Sequence, residues 1–222
     1  MKYLRLLVLA ASVSLLSACG RGGDDGATAS TLSFPVETAF KNTVTNGFSM
    51  SGSAVDGADK YNLALSSVPA GDEIFEGVMS KKTNHSLVLT KNGAGASVTY
   101  SGYYELSPFS IRGARYSDGS YLVLTSGTGQ LPASAKVGAS GTLGTLTLYS
   151  NTSKSAILAT QQSSWSLEAD TENTAMACSH STIQYASGVI NRGIGCYKID
   201  TSGNILGTRY TMIAGGKTLI FK

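Results

Sequence analysis

Residues 176–199 read MACSHSTIQYASGVINRGIGCYKI. The stretch divides around Ala186-Ser187-Gly188 into two runs of period two. Cys178, His180, Thr182 and Gln184 fall on one face of the first run, while Ile183 and Tyr185 fall on the other. In the second run Cys196, Lys198 and Asp200 share a face, opposite Tyr197 and Ile199. Alternation on both sides of a small, Gly-containing tip predicts a β-hairpin. Cys178 and Cys196 stand nine residues either side of Ser187, so that register makes them direct cross-strand partners. A disulfide between them would lie on the more polar side of the sheet, outside the main core. Closing a loop of that length is worth about 3 kcal/mol on the chain-entropy model. Neither a C-x-x-C spacing nor a His cluster accompanies the pair, which argues against redox or metal chemistry.

Working outward, the same period recurs. Phe48, Met50, Gly52 and Ala54 alternate with Ser49, Ser51 and Ser53, and Tyr61, Leu63 and Leu65 alternate with Asn62, Ala64 and Ser66. Strands are predicted over 87–90, 98–106, 109–116, 121–125, 143–149, 156–168, 205–212 and 218–221. KNGAGAS (91–97), SDGS (117–120), SNTSKS (150–155), ADTENT (169–174) and DTSGN (200–204) supply the turns. No helical stripe of useful length is evident. The expected fold is all-β, a single antiparallel β-sandwich or barrel-like domain over 32–222. The Gly-, Ser- and Pro-containing segment 126–141 is expected as a long loop within it, or as a division between two half-size units.

The chain opens with MKYLRLLVLAASVSLLSAC (1–19), two cations followed by an apolar run from Leu6 to Leu16. That run is shorter than the ~20 residues needed to cross a bilayer, and it reads as the core of a signal peptide. Leu16-Ser17-Ala18-Cys19 resembles the lipobox of bacterial lipoproteins. The resemblance implies a signal peptide over 1–18, cleavage before Cys19, a diacylglyceryl group on its sulfur and acylation of the new N-terminus. Several acyl chains anchor stably where one does not. In that family an Asp after the Cys retains the protein in the inner membrane. Gly20 stands there, which implies the outer membrane, lipid-anchored, on either its periplasmic or its surface side. Export would also put Cys178 and Cys196 in an oxidising compartment. Residues 19–31 then read as the lipidated Cys and a flexible, Gly-rich tether. From Gly141 onward the chain resembles β-rich lipoproteins without assigned activity, which implies nothing further about function.

Composition narrows the partners. Of 222 residues 42% are hydrophobic and 14% charged, so a packed core is affordable and a disordered or coiled-coil chain is excluded. Formal charge is +3, and two of the cations, Lys2 and Arg5, lie in the leader. The remaining balance is close to neutral, and no nucleic-acid-binding field is expected. G-x-S-x-G, H-E-x-x-H and the phosphate-loop motifs are all absent. With two His in the chain, a His-rich metal site is excluded. His85, in KKTNHS, is expected in a turn before Leu87, and His180 on a polar strand face.

Two groups stand as binding candidates. Glu168, Asp170 and Glu172 would project from one face of a continued strand, opposite Trp165, Leu167 and Ala169. Three such carboxylates suit a cation or an acid–base pair, although a solvated strand face explains them more simply. Tyrosine is the favoured large aromatic, 11 against 6 Phe and 1 Trp. Tyr100, Tyr103 and Tyr104 cluster, and alternation sets Tyr103 opposite the other two, so one side of this hairpin offers rings for a glycan or a protein. The function expected is a non-enzymatic β-domain, without cofactor or metal, that binds or supports an envelope protein or glycan. A periplasmic hydrolase and a carbohydrate-binding or inhibitor module are the alternatives.

Overall fold

The computed structural model describes residues 30–222. The expected signal peptide (1–18), Cys19 and the expected tether up to residue 29 lie outside the described residues. Ser30 is buried and its hydroxyl donates to the Glu172 carbonyl at 2.6 Å, so the tether is tied down by that point.

The period-two runs become strands: β1 (Ser33–Phe34), β2 (Phe48–Asp56), β3 (Asp59–Phe75), β4 (Val78–Lys91), β5 (Ala94–Leu106), β6 (Phe109–Tyr116), β7 (Tyr121–Gly127), β8 (Ala135–Lys136), β9 (Ser140–Tyr149), β10 (Ile157–Ala169), β11 (Thr174–Tyr185), β12 (Ile190–Asp200), β13 (Ile205–Ala214) and β14 (Lys217–Phe221). One helix, α1, spans Val36–Thr45. Twelve strands form one antiparallel meander in sequence order, β2 to β7 and then β9 to β14; β1 pairs only with β8. Tight turns make this order possible. At the β4–β5 tip Asn92 and Gly93 take φ of 51° and 85°, the mirror-image turn whose twist matches the strands it joins.

The meander curls until its two edges meet, giving a nearly closed barrel rather than a sandwich. No ladder joins β14 to β2. The seam is closed by contact: a Cβ on Gly52 would sit 3.0 Å from Phe221 Cβ and 3.1 Å from the Lys222 amide nitrogen. Lys217 also pairs with Asp56 across it. Closure is the direct remedy for exposed strand edges.

Alternation then sorts side chains into a lumen face and an outer face. Helix α1 stoppers one end of the lumen. Val36, Ala39, Phe40, Thr43 and Val44, spaced by three and four, form its buried face. They pack with Phe34, Phe109, Leu131, Trp165, Leu167 and Ile199. The barrel rim supplies partners for the helix: Ser67 and Thr83 hydroxyls donate to the carbonyls of Thr43 and Val44, and Glu37 accepts the Phe109 amide at 2.7 Å.

Two expectations need correction, the absence of a helix and the place of His85. A ten-residue helix exists where no helical stripe was expected. Its five β-branched residues lower its intrinsic propensity, and burial in the barrel mouth compensates. KNGAGAS is a hairpin connection, as expected, with the turn itself narrowed to Asn92 and Gly93. His85 lies mid-strand in β4, paired with Ser67 and Tyr100, not in a turn. Segment 126–141 runs between β7 and β9, which pair directly with each other, and Leu131 is buried in the plug.

Candidate binding site in the barrel lumen

Inward positions of β4, β5 and β6 carry His85, Tyr100, Gly102, Tyr104 and Tyr116. The His85 ring stacks on Tyr100, with centroids 4.6 Å apart and planes at 14°, and Tyr116 lies tilted 5.2 Å beyond. The Tyr104 hydroxyl sits 3.1 Å from His85 Nε2. Gly102 makes this cluster possible, because a Cβ there would come within 2.6 Å of the Tyr104 hydroxyl and 3.0 Å of His85 Nε2. From the facing wall Tyr197 on β12 and Tyr210 on β13 approach closely enough to interact electrostatically with Tyr100. Between these walls lies a cavity of about 230 Å³.

The third side of the cavity is polar. Inward positions of β10 and β11 present Gln161, Ser163, Ser179 and Ser181. The Gln161 amide donates to Ser163 Oγ at 3.2 Å. Ser181 is 1% exposed, and its hydroxyl has no hydrogen-bond partner. Tyr100 and Tyr116 likewise have ring contacts but no hydrogen bond among the described residues.

No ionised group faces this space at neutral pH. Burial lowers His85 to about 4, so its imidazole is neutral. Burial also raises Tyr100 to about 12, and Tyr104, Tyr116, Tyr197 and Tyr210 move up for the same reason. Among the described residues, Arg209 is the only formally charged one lining the cavity. Its guanidinium lies on the outer face, 2.8 Å from Glu168. The lumen is therefore a neutral chamber walled by tyrosines and by aliphatic residues such as Met50, Leu65, Leu87, Val98 and Leu146, with hydroxyls lacking partners.

Of the sequence candidates, the structure brings Tyr100 and Tyr104 into this chamber and leaves Tyr103 outside it. Tyr103 points outward as alternation requires, yet it is 1% exposed. The outer half of the β3–β4 hairpin folds back over β5–β7 and stacks Phe75 on the Tyr103 ring at 4.3 Å. Arg115 covers the same rings and pairs with Glu73. The hairpin tyrosines therefore make no exposed platform.

The carboxylates do not form a site together. β10 ends at Ala169, so Asp170 and Glu172 do not continue its outer face. Glu168 pairs with Arg209, and Asp170 pairs with Lys198 at 2.8 Å, which satisfies each separately. Cys178 and Cys196 are direct partners, as the register required, and they are joined as a disulfide on the outer face. Glu168 lies near both sulfurs, but disulfide sulfurs offer no thiolate to a metal.

A Ser–His pair does occur on this outer face: Ser166 Oγ is 2.5 Å from His180 Nε2. A catalytic triad places the acid on the other ring nitrogen. Here His180 Nδ1 is buried without a partner, and Glu168 reaches the serine instead at 3.4 Å. The three residues do not form a relay.

Sequence reasoning missed His85, Gly102, Ser181, Gly195, Tyr197 and Tyr210 as members of one site. The available signal was parity: each sits on the lumen face of its strand, with Gly or Ser where room is needed. No known protein family, no curated protein and no solved structure matches this chain.

Proposed function

We propose that this chain is a lipid-tethered protein of the bacterial cell envelope that holds a small molecule inside its barrel, binding it without transforming it. The observation that carries the binding half is the neutral, tyrosine-walled lumen cavity with its unpartnered Ser181 hydroxyl. Concave, mostly apolar chambers with a few placed polar groups are the usual form of small-molecule sites, and barrels commonly put them in their interior. The tether half rests on Leu16-Ser17-Ala18-Cys19 and the Gly-rich residues after it. Attachment to the outer membrane would keep the barrel where small solutes pass, a binding role that needs no relay.

The test is native mass spectrometry of the full-length protein extracted from envelopes, beside a lumen-filled Gly195→Leu variant. Gly195 suits this use: a Cβ there meets only the Tyr210 ring, at 3.6 Å, and a larger side chain extends into the cavity. A non-covalent mass carried by the wild type and lost from the variant supports the reading. Equal occupancy of both would defeat it.

A further inference from the structure

Resting on that reading of the lumen, we infer that its ligand is a neutral, flat aromatic molecule of one ring or two fused rings, carrying a polar group for Ser181. Size gives the first limit. A cavity of about 150 Å³ accepts benzene, so about 230 Å³ takes a somewhat larger ring system but not a second separate body. A long acyl chain would need an extended tunnel and would leave the hydroxyls buried against hydrocarbon.

Shape gives the second limit. Tyr100, Tyr116, Tyr197 and Tyr210 line the cavity from four different strands, and flat rings pack well against aromatic side chains. Charge gives the third. No counter-ion faces the lumen, so an ionised ligand would lose its hydration without compensation. Hydrogen bonding gives the fourth. A monosaccharide presents hydroxyls all round its ring and needs many polar partners. One amide hydrogen of Gln161 is engaged with Ser163, and carboxylates are absent from the lining among the described residues. The hydroxyls without a hydrogen-bond partner among these residues, Ser179, Ser181, Tyr100 and Tyr116, suit a ligand with a few polar atoms on an aromatic body.

The experiment is calorimetric titration of the full-length protein with indole, with its charged analogues tryptamine and indole-3-carboxylate, and with glucose. Gly195→Leu and Ser181→Ala are titrated in parallel. The expected result is saturable indole binding to the wild type, abolished in Gly195→Leu with its thermal unfolding retained. Ser181→Ala should bind indole about fivefold more weakly, the loss of one ordinary hydrogen bond. The charged analogues should bind at least about tenfold more weakly, and glucose not at all.

Charged analogues or glucose binding as well as indole, and lost in Gly195→Leu, would overturn the ligand class while leaving the lumen as a site. Indole binding that survives Gly195→Leu would overturn both. No binding of any probe would overturn the ligand class alone, provided the native mass experiment still finds a molecule dependent on Gly195. If Gly195→Leu does not fold, Ser179→Val fills the same space from the paired position on β11.

Discussion

The two halves of the barrel interior are filled in opposite ways. At one end α1 is driven into the mouth and its apolar stripe meets Phe34, Trp165, Leu167 and Ile199 in a continuous core. Deeper in, Tyr100, Tyr104, Tyr116, Tyr197 and Tyr210 stand among aliphatic side chains such as Leu65, Leu87, Leu122 and Leu146, Gly102, Gly195, Ser179 and Ser181 take inward positions, and a cavity remains. The sheet is the same, and so is the alternation that aims side chains inward. The difference is what those side chains must do. The plugged end holds the barrel together by dense packing, while the middle gives up packing for rings and hydroxyls.

The largest expected effect tests the plugged end. Trp165→Ala removes a large, 8% exposed side chain from the core around α1. It should cost about 3–5 kcal/mol in chemical denaturation. A loss below 1 kcal/mol would mean that the helix does not seat as described. The disulfide comes next. Its outer-face cysteines stand beside Ala177, in the plug, and Gly195, in the lumen, so it braces the wall where the two regions meet. The double variant Cys178→Ala/Cys196→Ala should lose about 3 kcal/mol on the loop-entropy account. Unchanged stability, with or without reductant, would break that link.

A pH effect should belong to the middle of the barrel. Burial holds His85 near 4, below the ordinary 6.5 of the unfolded chain. Between those values the unfolded state binds more protons. Stability from this residue is therefore complete above pH 6.5, falls with pH, and is gone by about pH 4. The total is about 3 kcal/mol at most by the free-energy equivalent of a pKa shift. His180 is lowered by burial too and adds in the same direction. Denaturation at pH 7 and pH 4.5 checks this against His85→Gln, which should lose less on acidification than the wild type. Equal losses would remove His85 from the account.

How legible the two regions were in the sequence follows from the same contrast. Period two assigned the strands and the faces: Ile183 and Tyr185 inward, Cys178 and His180 outward, Tyr103 opposite Tyr100 and Tyr104. The cysteine register was legible because a hairpin tip and two equal arms determine it. Helix α1 was not, although Val36, Ala39, Phe40, Thr43 and Val44 have helical spacing. Its β-branched residues suit a strand equally well, and only the barrel mouth decides between them. The outer half of the β3–β4 hairpin was lost because one of its sides faces water and the other a neighbouring wall, which leaves weak alternation. Parity gave the inward residues strand by strand, but not the cavity. It depends on which inward residues of strands distant in sequence face one another across the lumen, and no single segment records that.

The smallest effects separate two neighbouring tyrosines within the middle region. Tyr104 donates to or accepts from His85 Nε2, so Tyr104→Phe strips a partner from a buried ring nitrogen and should cost about 1 kcal/mol. The Tyr100 hydroxyl has no such bond, and its ring stacks on the same histidine. Tyr100→Phe keeps the stack and removes only the oxygen, so stability should change by less than about 0.5 kcal/mol in either direction. If the oxygen meets no ligand, removing an unpartnered hydroxyl should leave stability unchanged or slightly raised. An oxygen retained for a ligand should show the change in binding instead. Denaturation of both variants, with indole titrated into each, distinguishes these cases. If Tyr100→Phe stabilises the barrel and leaves indole affinity untouched, the oxygen at Tyr100 serves neither fold nor ligand.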